Sequence, residues 1–242
     1  MVNLVGTTPK ELVAKALSEG RTKLLEHEAL ALAEYYGIPV ARYGIALSED
    51  DVEKVIKSVG FPAVAKVVSP DISHKSDVGG VILGIKDVES ALKAYKQIME
   101  NVKKNVPNAR VTGVLYQKMA EPGYIEVIVG ATRDPTFGPV IMFGLGGIFV
   151  EVLKDVSFRV APLEPEDAEE MIKEIKTHKI LEGYRGMPPR DVESIKDILM
   201  KVSKLMLEVD EIQDIDLNPI MLYEKGKGAV AVDVRVILKE KK

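Results

Sequence analysis

A chain of 242 residues with 46% apolar content and a formal charge of −4 can bury a substantial core, as one large domain or two small ones. Its charges are interspersed rather than blocked, which argues against a nucleic-acid backbone binder, and with no cysteine it can hold no disulfide, cysteine-ligated zinc or thiol nucleophile. No basic and apolar leader opens it, and its longest apolar candidate, residues 140–150, is short and broken by Gly144, Gly146 and Gly147, so neither secretion nor membrane insertion is expected and a cytoplasmic location is. Sparse Asn and Gln, together with 29% charged residues rich in Lys and Glu, point to a thermophilic source.

Thr8-Pro9 reads as a helix start, with Leu12, Val13, Ala16 and Leu17 spaced along one face before Gly20. A second helix is predicted over residues 24–36, closed by Gly37. Ile38-Pro39-Val40 leads into a strand, after which Ser48 caps a helix carrying Val52, Val55, Ile56 and Val59. The apolar run 63–68, a polar loop 69–80, a strand at 81–85 and a long helix at 88–103 follow. From 111 onward strands predominate, at 111–117, 124–131 and 139–143, with a hairpin turn at Arg133-Asp134-Pro135-Thr136-Phe137-Gly138. A further strand is expected at 149–153, helices at 165–178 and 189–207, and closing strands at 212–216, 220–223 and 229–236. The alternation predicts an α+β, layered α/β arrangement.

Three constellations could carry chemistry. Loop 69–80 sets His74, one of three histidines, beside Gly79-Gly80. A neutral imidazole attacks a phosphoryl or acyl centre near neutral pH, and paired glycines let backbone N–H groups approach an anion. Lys66 interrupts the apolar run 63–68, so its ammonium needs an anionic partner, such as a phosphate, or a route to solvent. Asn218 and Asp233 lie on neighbouring predicted strands and could together offer oxygen ligands to Mg2+. The glycine run Gly144-Leu145-Gly146-Gly147 lacks the strand-turn-helix context of a dinucleotide site, because a strand is predicted after it, and reads as a loop that approaches a ligand or turns a sheet corner.

These segments in this order resemble the ATP-grasp fold, from about residue 21 to residue 236, and more narrowly the beta subunits of ADP-forming acetyl-CoA synthetases, relatives of succinyl-CoA synthetase. The resemblance is carried by Gly60-Phe61-Pro62-Ala63-Val64-Ala65-Lys66, Ser73-His74-Lys75-Ser76-Asp77-Val78-Gly79-Gly80-Val81, Arg133-Asp134-Pro135-Thr136-Phe137-Gly138-Pro139-Val140, Phe143-Gly144-Leu145-Gly146-Gly147 and Asp216-Leu217-Asn218-Pro219. It implies two lobes, residues 21–113 and 114–238, with ATP or ADP between them and a helical extension at 1–20. It also implies that Lys66 contacts phosphates, the Gln117-Lys118-Met119 hinge meets adenine, Glu126 bonds the ribose, and Asn218 and Asp233 hold Mg2+. His74 matches the loop histidine that takes a phosphoryl group from a phosphohistidine of the alpha subunit and passes it to ADP. Asp216 stands where succinyl-CoA synthetases carry a glutamate that steadies the phosphohistidine, and Arg159 either adds charge near the phosphoryl group or is a surface arginine. Gly79 and Gly80 serve as a phosphate cradle or as the hinge of a moving loop.

The implied reaction is acyl-CoA + ADP + phosphate ⇌ carboxylic acid + CoA + ATP, shared with an alpha subunit that binds CoA in a heterotetramer. The CoA-binding region is accordingly expected on the alpha subunit and not on this chain. Two other readings remain at this point: a stand-alone ATP-grasp carboxylate–amine ligase, and a nucleotide-binding regulatory subunit without turnover.

Overall fold

The fold is that of a computed structural model describing residues 7–240; residues 1–6 of the expected N-terminal extension lie outside the described residues. In chain order it comprises α1 (Pro9–Ser18), α2 (Glu26–Tyr35), β1 (Tyr43–Ala46), α3 (Val52–Val59), β2 (Ala63–Val68), β3 (Val81–Ile85), α4 (Val88–Asn105), β4 (Gly113–Lys118), β5 (Ile125–Asp134), β6 (Gly138–Leu145), α5 (Ile148–Leu153), β7 (Val156–Val160), α6 (Pro165–Glu174), α7 (Val192–Glu208), β8 (Ile212–Leu222), β9 (Ala229–Ala231) and β10 (Val234–Leu238). No helix among the described residues is long and apolar enough to cross a membrane.

The chain divides into two compact units, one containing Leu25–Ala31 and Ala41–Ala120, the other Thr7–Leu24, Leu32–Val40 and the chain from Glu121 onward. The expected boundary near residue 114 falls inside β4. That strand pairs antiparallel with both β1 and β2, so its backbone hydrogen bonds tie it to the first sheet and the crossing comes after it. Likewise α1, expected as a separate extension, clusters with the second unit.

The first unit is built on a four-stranded antiparallel sheet in the order β1-β4-β2-β3. Successive strand residues face opposite sides, so Ala63, Ala65 and Val67 of β2 and Val114 and Tyr116 of β4 join one core with Val52, Val55, Ile56 and Val59 of α3 and Ala91, Ala94, Ile98 and Val102 of α4. The helical spacing of those eight residues explains why α3 and α4 lie on this face. The same alternation puts Lys66 and Gln117 on the other face.

The second unit carries a six-stranded antiparallel sheet, β10-β8-β5-β6-β7, with β9 on β8. Helices α6 and α7 pack on it through Ala168, Met171, Ile172, Ile195, Ile198 and Val202. Three sequence expectations change here. Residues 212–222 form one strand through Asn218-Pro219, accommodated by a register shift in the β5–β8 pairing. The expected strand 229–236 is interrupted at Val232-Asp233, which takes Asp233 out of an apolar strand and into the gap between β9 and β10. The expected strand at 149–153 is instead helix α5, so the glycine run does sit between a strand and a helix. Glycine 144 is needed where it stands, since a Cβ there would lie 2.9 Å from the Asp155 carbonyl oxygen.

Candidate functional site

The partner that Lys66 required turns out to be internal. Its ammonium donates to Glu26 Oε1 at 2.6 Å and to Gln117 Oε1 at 2.9 Å, while the Lys75 ammonium bonds the other carboxylate oxygen of Glu26. Glu26 opens α2 and is buried, with only 7% of its surface exposed. Burial pushes its carboxyl pKa up, but the two lysine charges and their hydrogen bonds outweigh that and hold it below the ordinary carboxylate range. One carboxylate thus joins a lysine of β2 to a lysine of the His74 loop.

Both flanks of His74 are anchored. On one side Ile72 enters the core, and Asp71 accepts from Arg110 Nη2 at 2.6 Å, Nε at 3.0 Å and backbone N–H at 2.8 Å. Those bonds hold the Asp71 carboxyl down at about 2. On the other side stand the Lys75–Glu26 pair and a folded-in glycine turn: the Gly79 N–H donates to Ser76 O at 3.1 Å and the Gly80 N–H to Lys75 O at 2.7 Å. Neither glycine amide is therefore turned toward an anion, contrary to the cradle expectation. Gly79 has φ +67° and meets Asn101, which donates to its carbonyl at 2.9 Å, and a Cβ on Gly80 would lie 2.5 Å from Val67 Cγ1. The glycines let the loop close tightly against β2 and α4. Between these anchors His74 is exposed and makes no hydrogen bond among the described residues.

The expected adenine hinge leaves β4 at Lys118. The Met119 N–H donates to Pro62 O at 2.9 Å, the Lys118 N–H to Arg42 O at 2.8 Å, and the Lys118 ammonium bonds Phe61 O, so the hinge is strapped to the turn before β2. Gln117 is buried at 1% exposure, and its Nε2 has no hydrogen-bond partner, a donor left over after its oxygen takes Lys66.

In the second unit β8 carries Asn218, expected to hold metal, and Asp216, expected at the phosphohistidine, while Asp233, the other expected metal ligand, lies between β9 and β10. Asp216 and Asn218, two apart, interact through their side chains; the Asn218 N–H donates to Asp233 O at 3.2 Å, and Arg235 of β10 lies 3.7 Å from Asp216. Burial raises the Asp216 pKa, Arg235 opposes that, and the nearby Asp233 charge adds to the rise. Two carboxylates and an amide oxygen are donor types that suit a hard divalent cation. Among the described residues no three His, Cys, Asp or Glu side chains converge as a metal site. Glu126, on β5, is exposed and backed by the glycine run: the Gly146 N–H donates to its carbonyl at 2.8 Å, and a Cβ on Gly146 would lie 2.9 Å from Glu126 Cβ. Arg159 pairs with Glu174 at 2.7 Å and Glu170 at 3.5 Å, so its charge is committed to α6.

Sequence reasoning missed Glu26. The signal existed, since Glu26 stands in Leu24-Leu25-Glu26-His27-Glu28-Ala29-Leu30, where the argument applied to Lys66 holds equally for a carboxylate.

Residues 15–238 match the ATP-grasp domain family. The chain is 51% identical over 229 residues to the beta subunit of acetate–CoA ligase [ADP-forming] I of Pyrococcus furiosus, covering 95% of this chain and 97% of that one. It is 48% identical to acetate–CoA ligase [ADP-forming] I of Archaeoglobus fulgidus, covering 96% of this chain but only 33% of that longer protein. Solved structures of a dinucleotide forming acetyl-coenzyme A synthetase 1 from Ca. Korarchaeum cryptofilum also resemble it. One, with coenzyme A and Ca-AMPCP, has a TM-score of 0.90 at 51% identity and covers 96% of this chain and 100% of that one. Another, with coenzyme A and Mg-AMPPCP and a phosphohistidine segment pointing towards the nucleotide binding site, has a TM-score of 0.83 at 46% identity and covers 95% and 99%. The chain belongs to the ATP-grasp family, among the beta subunits of ADP-forming acetate–CoA ligases.

Proposed function

We propose that the chain is the nucleotide-binding subunit of an ADP-forming acyl-CoA synthetase, making ATP from acyl-CoA, ADP and phosphate through a phosphohistidine relay with an alpha subunit. The observation that carries this reading is His74, an exposed imidazole fixed between two anchored flanks with a lysine beside it. In the proposed sequence phosphate displaces CoA thiolate at the acyl carbon. The acyl phosphate then gives its phosphoryl group to the partner's histidine and leaves as carboxylate. His74 takes that group and hands it to the terminal oxygen of ADP, each transfer breaking one bond to phosphorus as another forms. Such transfers need in-line placement and charge neutralisation more than new covalent chemistry.

Lys66 is assigned to the nucleotide phosphates, Gln117, Lys118 and Met119 to adenine, and Glu126 to the ribose. Asp216, Asn218 and Asp233 supply the oxygen set for Mg2+, which when bound neutralises phosphate charge. In this reading Asp216 does its work as part of that set, beside its expected role at the phosphohistidine. The Archaeoglobus relative, about three times as long, supports an alpha partner carrying the remaining functions, and a heterotetramer in the cytoplasm is the proposed assembly. The test is ATP formation by the chain reconstituted with its alpha partner, acetyl-CoA, phosphate and ADP. His74→Ala is expected to reduce it at least a thousandfold. Normal ATP formation by that variant would remove the relay, and turnover by the chain without a partner would point to a stand-alone ligase.

A further inference from the structure

We infer that Glu26 is a positioning residue for phosphoryl transfer, its buried carboxylate holding the ammonium groups of Lys66 and Lys75 side by side at the base of the His74 loop. The inference rests on the relay reading. Its ground is the geometry: one carboxylate oxygen takes Lys66 at 2.6 Å, the other takes Lys75, and the three residues come from the start of α2, the middle of β2 and the loop itself.

Two ammonium groups gathered on one carboxylate repel one another, and without the carboxylate that repulsion drives them apart. An interposed carboxylate reverses the balance. With Glu26 in place a carboxylate stands between the two ammonium groups; replacing it by neutral glutamine removes that charge from both. Gln117, which also meets Lys66, offers a neutral oxygen and cannot substitute for that charge. Lys75 adjoins His74 in sequence, so a phosphoryl group on the imidazole arrives beside an ammonium already held by Glu26. A lysine released from that hold would pay the entropy of finding the phosphoryl group afresh.

The converse arrangement, in which Glu26 competes with phosphate for the lysines, predicts the opposite sign. Positioning makes Glu26→Gln slower; competition makes it faster or its binding tighter.

The test uses the chain together with its alpha partner and measures the rate at which phosphate appears on His74 when acetyl phosphate is supplied, and the rate at which ADP removes it. Glu26→Gln is expected to slow labelling about tenfold, the scale of one lost charge-assisted contact, while the concentration of alpha partner giving half-maximal rate stays unchanged. Lys75→Met, on the loop and away from the buried position, is expected to slow it similarly. In the double variant the loss should be smaller than the product of the two single losses, because Glu26 acts through Lys75. Glu26→Asp, which keeps the charge on a shorter stem, should recover part of the rate. If Glu26→Gln fails to fold, Lys75→Met decides alone, and a normal rate in it overturns the inference. A normal or faster rate in folded Glu26→Gln, or strictly multiplicative losses, overturns it while leaving the relay intact. Absence of phosphate on His74 in the unsubstituted protein overturns the relay, and this inference with it.

Discussion

At the scale of single residues, the site is made of charges placed where the local pattern is apolar. Asp71 shows what one such charge does for the loop. Its folded pKa of about 2 lies below the ordinary value near 3.9, so the Arg110 pair contributes stability that is fully present above the unfolded value and is lost as pH falls toward the folded one. Asp71→Asn should therefore lower the melting temperature near neutral pH, and the gap from the unsubstituted protein should close as the pH is taken down through that interval; a gap independent of pH would show that the ion pair is not what anchors the loop. Asp233 makes a second case. Asp233→Ala should weaken Mg-dependent ADP binding on the order of tenfold or more in calorimetric titration, with little change in binding of the nucleotide without the metal. Equal losses with and without Mg2+ would place Asp233 outside the metal set. Lys66 and Asp233 stood out in the sequence because each interrupts an apolar run. Glu26 was not singled out, since its two lysine partners stand forty and forty-nine residues further along the chain, and pairing across that distance is a property of the fold.

At the scale of elements, the helices and most strands followed from periodicity: α3 and α4 bury one face each, and β2 alternates between the helix-covered core and the face that carries Lys66. The failures have specific causes. Residues 148–153 form a short apolar run, for which strand and helix patterns coincide, and the helix follows the glycine turn that seats Glu126. Asn218-Pro219 reads as a break because proline donates no ladder hydrogen bond, yet a register shift in the neighbouring pairing keeps β8 continuous. The glycine pair of the His74 loop read as a phosphate cradle because sequence reports freedom, not which way an amide points. Gly80→Ala tests its actual role: the added methyl meets Val67 and the Lys75 carbonyl, so it should cost roughly 1–3 kcal/mol in denaturant unfolding, the usual price of overpacking, and should slow phosphoryl transfer as well. Unchanged stability would mean the loop is looser than its contacts indicate.

For the whole molecule, the two-unit organisation was legible from the change in strand density after residue 111, while the crossing point was not, because β4 resembles the strands that follow it and only its pairing with β1 and β2 assigns it to the first sheet. Each unit brings one polar cluster to its sheet: lysines gathered on Glu26 beneath His74 in the first, carboxylates and an amide around Asp216 in the second. A basic cluster beside a histidine and an acidic oxygen set are complementary requirements of phosphoryl transfer to a metal-bound nucleotide, which is the ground on which the relay is proposed. The most direct measurement is mass spectrometry of the chain after incubation with its alpha partner and acetyl phosphate. The account predicts one added phosphoryl group on His74, labile to acid and stable to base, that disappears on addition of ADP as ATP forms. A chain that stays unphosphorylated at His74 while the same mixture makes ATP would contradict it.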